Sequence, residues 1–314
     1  MKKLKIIVVG AGFWGKNQLR ILSEMKKVKL TGICDINESK AKVLGEKYNI
    51  PWFTNLDEAL NKLDFDAATI CTPTITHAEV AKKILAYGKH ILIEKPMTST
   101  IKEAKELISL AEENNAFLTV GFIERFNPAI KYLKNIIKAG KLGKIILIIA
   151  RRVTRWPERI GDVGVTKDSA IHDIDVMRFL LENEVKSVYA KAGSLKHKFE
   201  DYSEAMMSFN DGAIGFIDAN WLTPRKIRTL IVTGSEATAT VNYLTQELTI
   251  ENSRLTVKPR IKWEEPLYLE LKNFVESTLK NKQPEPTGLD GLKALEVCEA
   301  ILESNKINQA IKLL

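Results

Sequence analysis

Cysteine is scarce: Cys34, Cys71 and Cys298 are the three in 314 residues. They are odd in number, far apart and form no CxxC pair. That spacing excludes a disulfide framework or thiolate zinc cluster and fits a reduced, cytoplasmic protein. Histidine is nearly as rare, with His77, His90, His172 and His197. No two of them have ligand spacing, so no resident metal is expected. Long apolar runs are also missing. The first stops at Val9 against glycines and reads as a strand rather than a signal peptide. The longest later run, 145–150, falls far short of the ~20 residues of a membrane span. There is no internal repeat and no low-complexity segment.

What is present is ordinary globular material. Hydrophobic residues make up 45% and charged residues 27%, enough for real cores and for two domains. Lys and Arg number 47 against 39 Asp and Glu, a net charge of +8. The basic residues are scattered among glutamates and form no stripe, so nucleic acid is not an expected partner. The excess reads as solvated surface with one local pocket for an anionic substrate.

The pattern changes near residue 122. Before it, short apolar strands at 4–9, 29–34, 67–71, 90–93 and 117–120 alternate with amphipathic segments such as 16–26. Thr54…Asp57, Thr76…Glu79 and Thr100…Glu103 have the spacing of capping boxes. Alternation of this kind predicts a parallel, doubly wound α/β sheet. After it come helices at 128–138 and 171–181 and strands at 145–153, 187–192, 204–209, 213–220, 227–232, 237–241 and 247–250. Asn210-Asp211-Gly212 marks a hairpin, and 288–314 reads as a terminal helix. This half is α+β with an open, mainly antiparallel sheet. The expected domains are therefore 1–122 and 123–314.

Gly10-Ala11-Gly12-Phe13-Trp14-Gly15 follows the first strand and opens a helix, the context a dinucleotide fingerprint requires. Gly10 permits the turn, Gly12 admits a pyrophosphate to the backbone, and Gly15 lets helix and strand approach. Asp35 ends the second strand twenty residues later. A carboxylate there accepts from ribose hydroxyls and repels a 2′-phosphate, which favours NAD over NADP.

Cys71-Thr72-Pro73 and Glu94-Lys95-Pro96 also follow apolar strands, at the sheet edge where ligands bind. A partly desolvated lysine beside a nicotinamide has a lowered pKa and can exchange a proton with a substrate oxygen. The bland reading is a strand-end lysine paired with Glu94. In the second half, Asp168 and His172 are i and i+4 on a helix, with Asp175 three further on. A carboxylate beside an imidazole makes a general base; a capped surface helix would explain the same spacing.

Taken together, Gly10–Gly15, Asp35, Thr72-Pro73, Glu94-Lys95-Pro96 and Asp168…His172…Asp175 resemble the Gfo/Idh/MocA oxidoreductases over essentially the whole chain. The resemblance implies an N-terminal Rossmann domain and a second domain whose open sheet mediates homodimers or homotetramers. It also implies NAD(P)-dependent chemistry at a sugar or cyclitol carbon. It assigns Gly10, Gly12, Phe13, Trp14, Gly15, Asp35, Thr72, Pro73, His77, Glu94 and Lys95 to the cofactor. Lys95 would touch the reacting hydroxyl, His172 would be the catalytic histidine, and Asp168 would orient substrate or base. Which of Lys95 and His172 is the base stays open. Ala170 stands where the family pattern has glycine.

Glu124-Arg125-Phe126-Asn127-Pro128, Ala150-Arg151-Arg152, Arg159…Asp162-Val163-Gly164-Val165 and 170–175 further resemble one branch, the UDP-N-acetylglucosamine 3-dehydrogenases. That likeness implies oxidation of a sugar 3-hydroxyl. It adds Arg125, Asn127, Arg152 and Arg159 to Asp168 and His172 as substrate residues. Arg151, Arg152, Arg155 and Arg159 form a cationic stretch suited to a diphosphate. The rival readings are a free-sugar or myo-inositol dehydrogenase of the same family and a non-catalytic NAD-sensing protein.

Overall fold

The computed structural model describes residues 2–156 and 162–313. The chain forms two compact units, Met1–Phe122 with Leu267–Leu292, and Ile123–Pro266 with Lys293–Leu314. The sequence reading assigned 267–292 to the second domain; in the structure this segment joins the first unit.

The first unit is built on β1 (Leu4–Val9), α1 (Phe13–Glu24), β2 (Val28–Cys34), α2 (Glu38–Tyr48), β3 (Trp52–Phe53) and α3 (Leu56–Lys62). It continues with β4 (Ala67–Ile70), α4 (Thr74–Ala86), β5 (His90–Glu94), α5 (Ile101–Glu113) and β6 (Leu118–Gly121). The six strands lie in the order β3-β2-β1-β4-β5-β6, and every adjacent pair is parallel. Strand order therefore reverses between β1 and β4, the place where such sheets bind ligands. The central strands are mostly apolar and almost wholly buried, as a sheet covered on both faces demands.

Of the three expected capping boxes, the Thr100–Glu103 pair forms in full. At α3 the cap is Asn55, whose side chain accepts from the Glu58 amide. At α4 the N-cap is Pro73, three residues earlier than Thr76 suggested. Spacing alone does not say which of two adjacent polar residues takes the cap.

The second unit opens with α6 (Pro128–Lys138) and β7 (Ile145–Arg155). A π-helical turn (Thr166–Ala170) runs into α7 (Ile171–Leu181). Then come β8 (Val185–Gly193), β9 (Tyr202–Phe209), β10 (Ile214–Asn220), β11 (Leu222–Gly234), β12 (Thr238–Asn242), β13 (Glu247–Glu251) and β14 (Thr256–Val257). α8 (Pro266–Leu279), α9 (Gly288–Ile307) and β15 (Ile311–Lys312) complete the chain. Among the described residues the sheet has nine strands, in the order β14-β13-β12-β11-β7-β10-β9-β8-β15. Its pairs are antiparallel except β7 with β10. The Asn210-Asp211-Gly212 hairpin forms between β9 and β10, with Gly212 at φ +88°.

The terminal helix expected over 288–314 stops at Ile307. Asn308 turns to φ +56°, and β15 pairs with β8. On one face of the sheet, α7 packs on β7, and α6 packs on β12 and β13. Strand residues alternate accordingly: Ile148, Ala150 and Arg152 are buried, whereas Ile149 and Arg151 are exposed.

Candidate active site

The glycine loop is shaped by what side chains would hit. Gly10 sits at φ +101°, and a Cβ there would lie 2.6 Å from the Cys71 carbonyl. A Cβ on Gly15 would lie 1.8 Å from the Gly10 oxygen. Gly12 is the opposite case: nothing stands within 4 Å of its Cβ position. The α1 N-terminus has no side-chain cap and no acidic residue in its first turn. Open space beside uncapped helix N–H groups is a cradle for a pyrophosphate. Asp35 borders it. Its Oδ2 accepts from the Ala11 amide at 2.6 Å and its Oδ1 from the Asn37 amide at 2.8 Å. Each oxygen keeps a lone pair for a ribose hydroxyl. These residues fit an NAD adenosine and its phosphates.

Further along the same sheet edge, Glu94 and Lys95 are both buried. Gln18 on α1 donates to Glu94 Oε1 at 2.9 Å, tying the helix to the end of β5. His77 on α4 lies between two backbone carbonyls, with Nε2 2.9 Å from Thr72 O and Nδ1 2.9 Å from Pro96 O. Its ring therefore spans the Thr72-Pro73 and Lys95-Pro96 segments. This gives His77 a part in shaping the edge on which Lys95 sits.

In the second unit Asp168 lies in the π-helical turn and His172 one turn on, at the start of α7. The sequence reading put both on one α-helix. The observed turn is wider, a feature frequent at functional sites. Both residues are 8% exposed. A hydrogen-bond chain ends on the carboxylate. Trp221 Nε1 donates to Ser169 Oγ at 3.2 Å, and Ser169 Oγ donates to Asp168 Oδ2 at 3.1 Å. An indole N–H is a donor and nothing else, so the serine hydrogen must point to Asp168. That polarity favours the ionised carboxylate. Nothing in the sequence joins Ser169 to Trp221, fifty-two residues away.

The expected substrate residues divide. Arg125 meets Asp175 through two bonds, of 2.7 and 2.6 Å. Arg152 meets Asp173 at 2.6 and 3.1 Å and Glu124 at 3.0 Å. Asn127 is the N-cap of α6, accepting from the Ala129 amide at 3.1 Å and donating to Tyr243 O at 3.0 Å. All three are buried. Arg125, Asn127 and Arg152, expected at the substrate, thus have polar groups that meet protein partners, in a framework that holds α7 to the 123–126 turn and to β7. Arg159 lies outside the described residues.

Burial opposes the charge of Arg152, yet Asp173 and Glu124 beside it hold its pKa above the ordinary value. Burial, followed by the charge of Asp173, drives the Tyr243 phenol well up. Arg228 on β11 lies directly across from Arg152 in the β7 register, a neighbour that sequence inspection missed.

Among the described residues no group of three or more His, Cys, Asp or Glu is placed to hold a metal ion. Among them, too, no helix is long and apolar enough to cross a membrane.

Residues 4–122 match the model of the oxidoreductase family with an NAD-binding Rossmann fold, and residues 130–240 match the GFO/IDH/MocA C-terminal domain. A UDP-N-acetylglucosamine 3-dehydrogenase of Acidithiobacillus ferrooxidans is 30% identical over 77% of this chain and 75% of that one. The scyllo-inositol 2-dehydrogenase (NAD(+)) of Bacillus subtilis is 28% identical over 99% of this chain and 96% of its own. The solved structure of UDP-N-acetylglucosamine 3-dehydrogenase GnnA from Acidithiobacillus ferrooxidans superposes with a TM-score of 0.89. It is 26% identical and covers 98% of this chain and 100% of its own. With both halves matched in chain order, and with a glycine cradle that fits the cofactor, the chain belongs to the Gfo/Idh/MocA family of NAD-dependent oxidoreductases.

Proposed function

We propose that this protein oxidises a secondary hydroxyl of a nucleotide sugar to a ketone, the 3-hydroxyl of UDP-N-acetylglucosamine being the favoured substrate. The observation that carries the catalytic part is the buried Asp168–Ser169–Trp221 chain one turn from His172. It supports a carboxylate kept charged beside a group that takes a proton. The relative at 30% identity supports the sugar nucleotide.

In this reading Gly10, Gly12, Phe13, Trp14, Gly15 and Asp35 hold the adenosine diphosphate half of the cofactor, and Thr72, Pro73, His77 and Glu94 shape the edge beyond it. Bound NAD+ supplies the acceptor for the hydride leaving the substrate carbon. His172 takes the hydroxyl proton, Asp168 supports the imidazolium, and Lys95 donates to the oxygen as alkoxide charge develops. The protein works in the cytoplasm as a homodimer or homotetramer. Ile149, Phe216, Met206 and Tyr189, consecutive across four strands of the open sheet face and each about 40% exposed, support self-association there.

A neutral polyol such as myo-inositol is the second reading. The burial of Arg152 favours it, because its guanidinium, expected on a diphosphate, is matched to Asp173 and Glu124 instead.

The test is reduction of NAD+ by purified protein with UDP-N-acetylglucosamine, its uronic acid, glucose and myo-inositol, with a ketone trap present. Turnover of UDP-N-acetylglucosamine is expected, and Lys95→Ala should lower it by ~10²–10⁴-fold. Turnover confined to inositol or glucose overturns the nucleotide-sugar assignment. Full activity in Lys95→Ala overturns the role given to that lysine.

A further inference from the structure

Among the described residues of the second unit, four arginines gather around α7, and three have their donors matched to carboxylates. Arg125 has Asp175, Arg152 has Asp173 and Glu124, and Arg178 meets Glu184 through two bonds of 2.7 Å. Arg228 differs. Its hydrogen bond among the described residues is one long contact of 3.4 Å to Glu124 Oε1. That same oxygen already accepts from Arg152 at 3.0 Å. A guanidinium carries five N–H donors, so most of this fork is unspent. The side chain is 33% exposed, against 4% for Arg152, so a ligand can reach it.

The electrostatics agree. Burial first, and then the like charge of Arg152, push the Arg228 pKa down. Glu124, Asp173 and Asp168 pull the other way. The cation is therefore held at a cost that its protein partners offset in part. Arg228 faces Arg152 across the β11–β7 pair, and Arg152 binds Asp173, the residue next to His172, which puts Arg228 in the neighbourhood of the candidate site.

We propose that Arg228 is the anion-binding residue of the substrate site, donating its remaining N–H groups to an oxyanion carried by the substrate. The inference rests on the reading of Asp168 and His172 as the substrate-oxidising site. It gives the nucleotide-sugar reading the guanidinium that Arg152 does not supply. The chemistry is planar, two-point recognition of phosphate or carboxylate, for which arginine is suited and lysine is not.

The experiment uses the NADH-saturated protein, so that the glycine cradle is filled, and calorimetric titration with UDP and, separately, glucuronate. Arg228→Gln should weaken UDP binding by at least about tenfold, the loss of a charge-assisted hydrogen bond. Arg228→Lys should fall between, because it keeps the charge and loses the fork. KM for UDP-N-acetylglucosamine should rise in parallel, with kcat and the KM for NAD+ nearly unchanged. Arg228→Gln should melt no lower than the wild type, since it removes a cation crowded against Arg152.

A lowered melting temperature with UDP affinity intact makes Arg228 a structural ion pair and overturns the proposal. So does wild-type protein that binds neither anion. Arg228-dependent binding of glucuronate without UDP supports the site and identifies its anion as a carboxylate. Arg228-dependent UDP binding with no oxidation of any substrate leaves the anion site standing and fails the oxidation reading. Oxidation of UDP-N-acetylglucosamine with unchanged UDP binding in Arg228→Gln fails the anion site alone.

Discussion

The glycine loop of the first unit and the α7 region of the second prepare for ligands by opposite means. The loop offers backbone N–H groups and empty space, and its residues matter through the side chains they lack. The α7 region offers charged side chains, most of them already neutralised by one another. A space-made site depends on the backbone path. A charge-made site depends on a framework beneath it, and that framework uses the same residue types as the site. The two should therefore fail differently when a residue is changed.

The sharpest break is expected beneath α7. Arg152→Met leaves Asp173 and Glu124 buried without their bidentate partner and should cost ~3–5 kcal/mol. Urea unfolding measures it. A loss under about 1 kcal/mol would mean that the framework is not held by charge.

Next comes Gly15→Ala. The added methyl meets the Gly10 carbonyl at 1.8 Å, so stability should fall by about 1–3 kcal/mol and NADH affinity with it. A thermal melt and an NADH fluorescence titration read the two effects together.

Gly12→Ala separates them. With nothing within 4 Å, the melting temperature should stay put while NADH affinity drops by about tenfold. A variant that binds NADH normally would show that the vacant volume belongs to no ligand.

The smallest effect lies on the open face of the second sheet. Partial burial, together with the adjacent Asp218 carboxylate, pushes Glu204 up to about 7, against the pull of Arg151. An unfolded chain releases that proton at ~4.3. The native state therefore holds the proton more tightly, and this contribution to stability is full at low pH and fades as pH rises through about 7. Glu204→Gln should flatten the pH dependence of the melting temperature between about pH 5 and about pH 8. An unchanged profile would assign the slope to other groups.

The same contrast explains what the sequence disclosed. Gly10, Gly12, Gly15 and Asp35 stand out because strand, turn and helix fix where a glycine is needed, and the end of β2 at Cys34 fixes where Asp35 stands. Parallel and antiparallel halves followed from hydrophobic period and turn residues, and the hairpin at Asp211-Gly212 from its φ requirement. The burial of Arg125, Asn127 and Arg152 was not legible, because motif likeness does not reveal burial, which for Arg152 depends on register across β7 and β11. Ser169–Trp221 and Arg228–Glu124 join residues 52 and 104 positions apart, so no local pattern signals them. α8 was overlooked, and the last helix overextended, because apolar spacing does not register an asparagine that ends a helix by turning left-handed.

One connection bears on how the molecule is made. β6 bonds to the stretch that precedes α9: Val120 donates to Pro286 O at 3.1 Å, and Thr119 bridges Thr287. A ribosome delivers β1 to β6 early and this stretch some 165 residues later. During synthesis the cofactor-binding sheet must wait with its last edge uncovered while all but the final strand of the second sheet emerges. A gene fragment cut after residue 122 would inherit that bare edge, and grafting this cofactor module elsewhere would require carrying 267–292 with it.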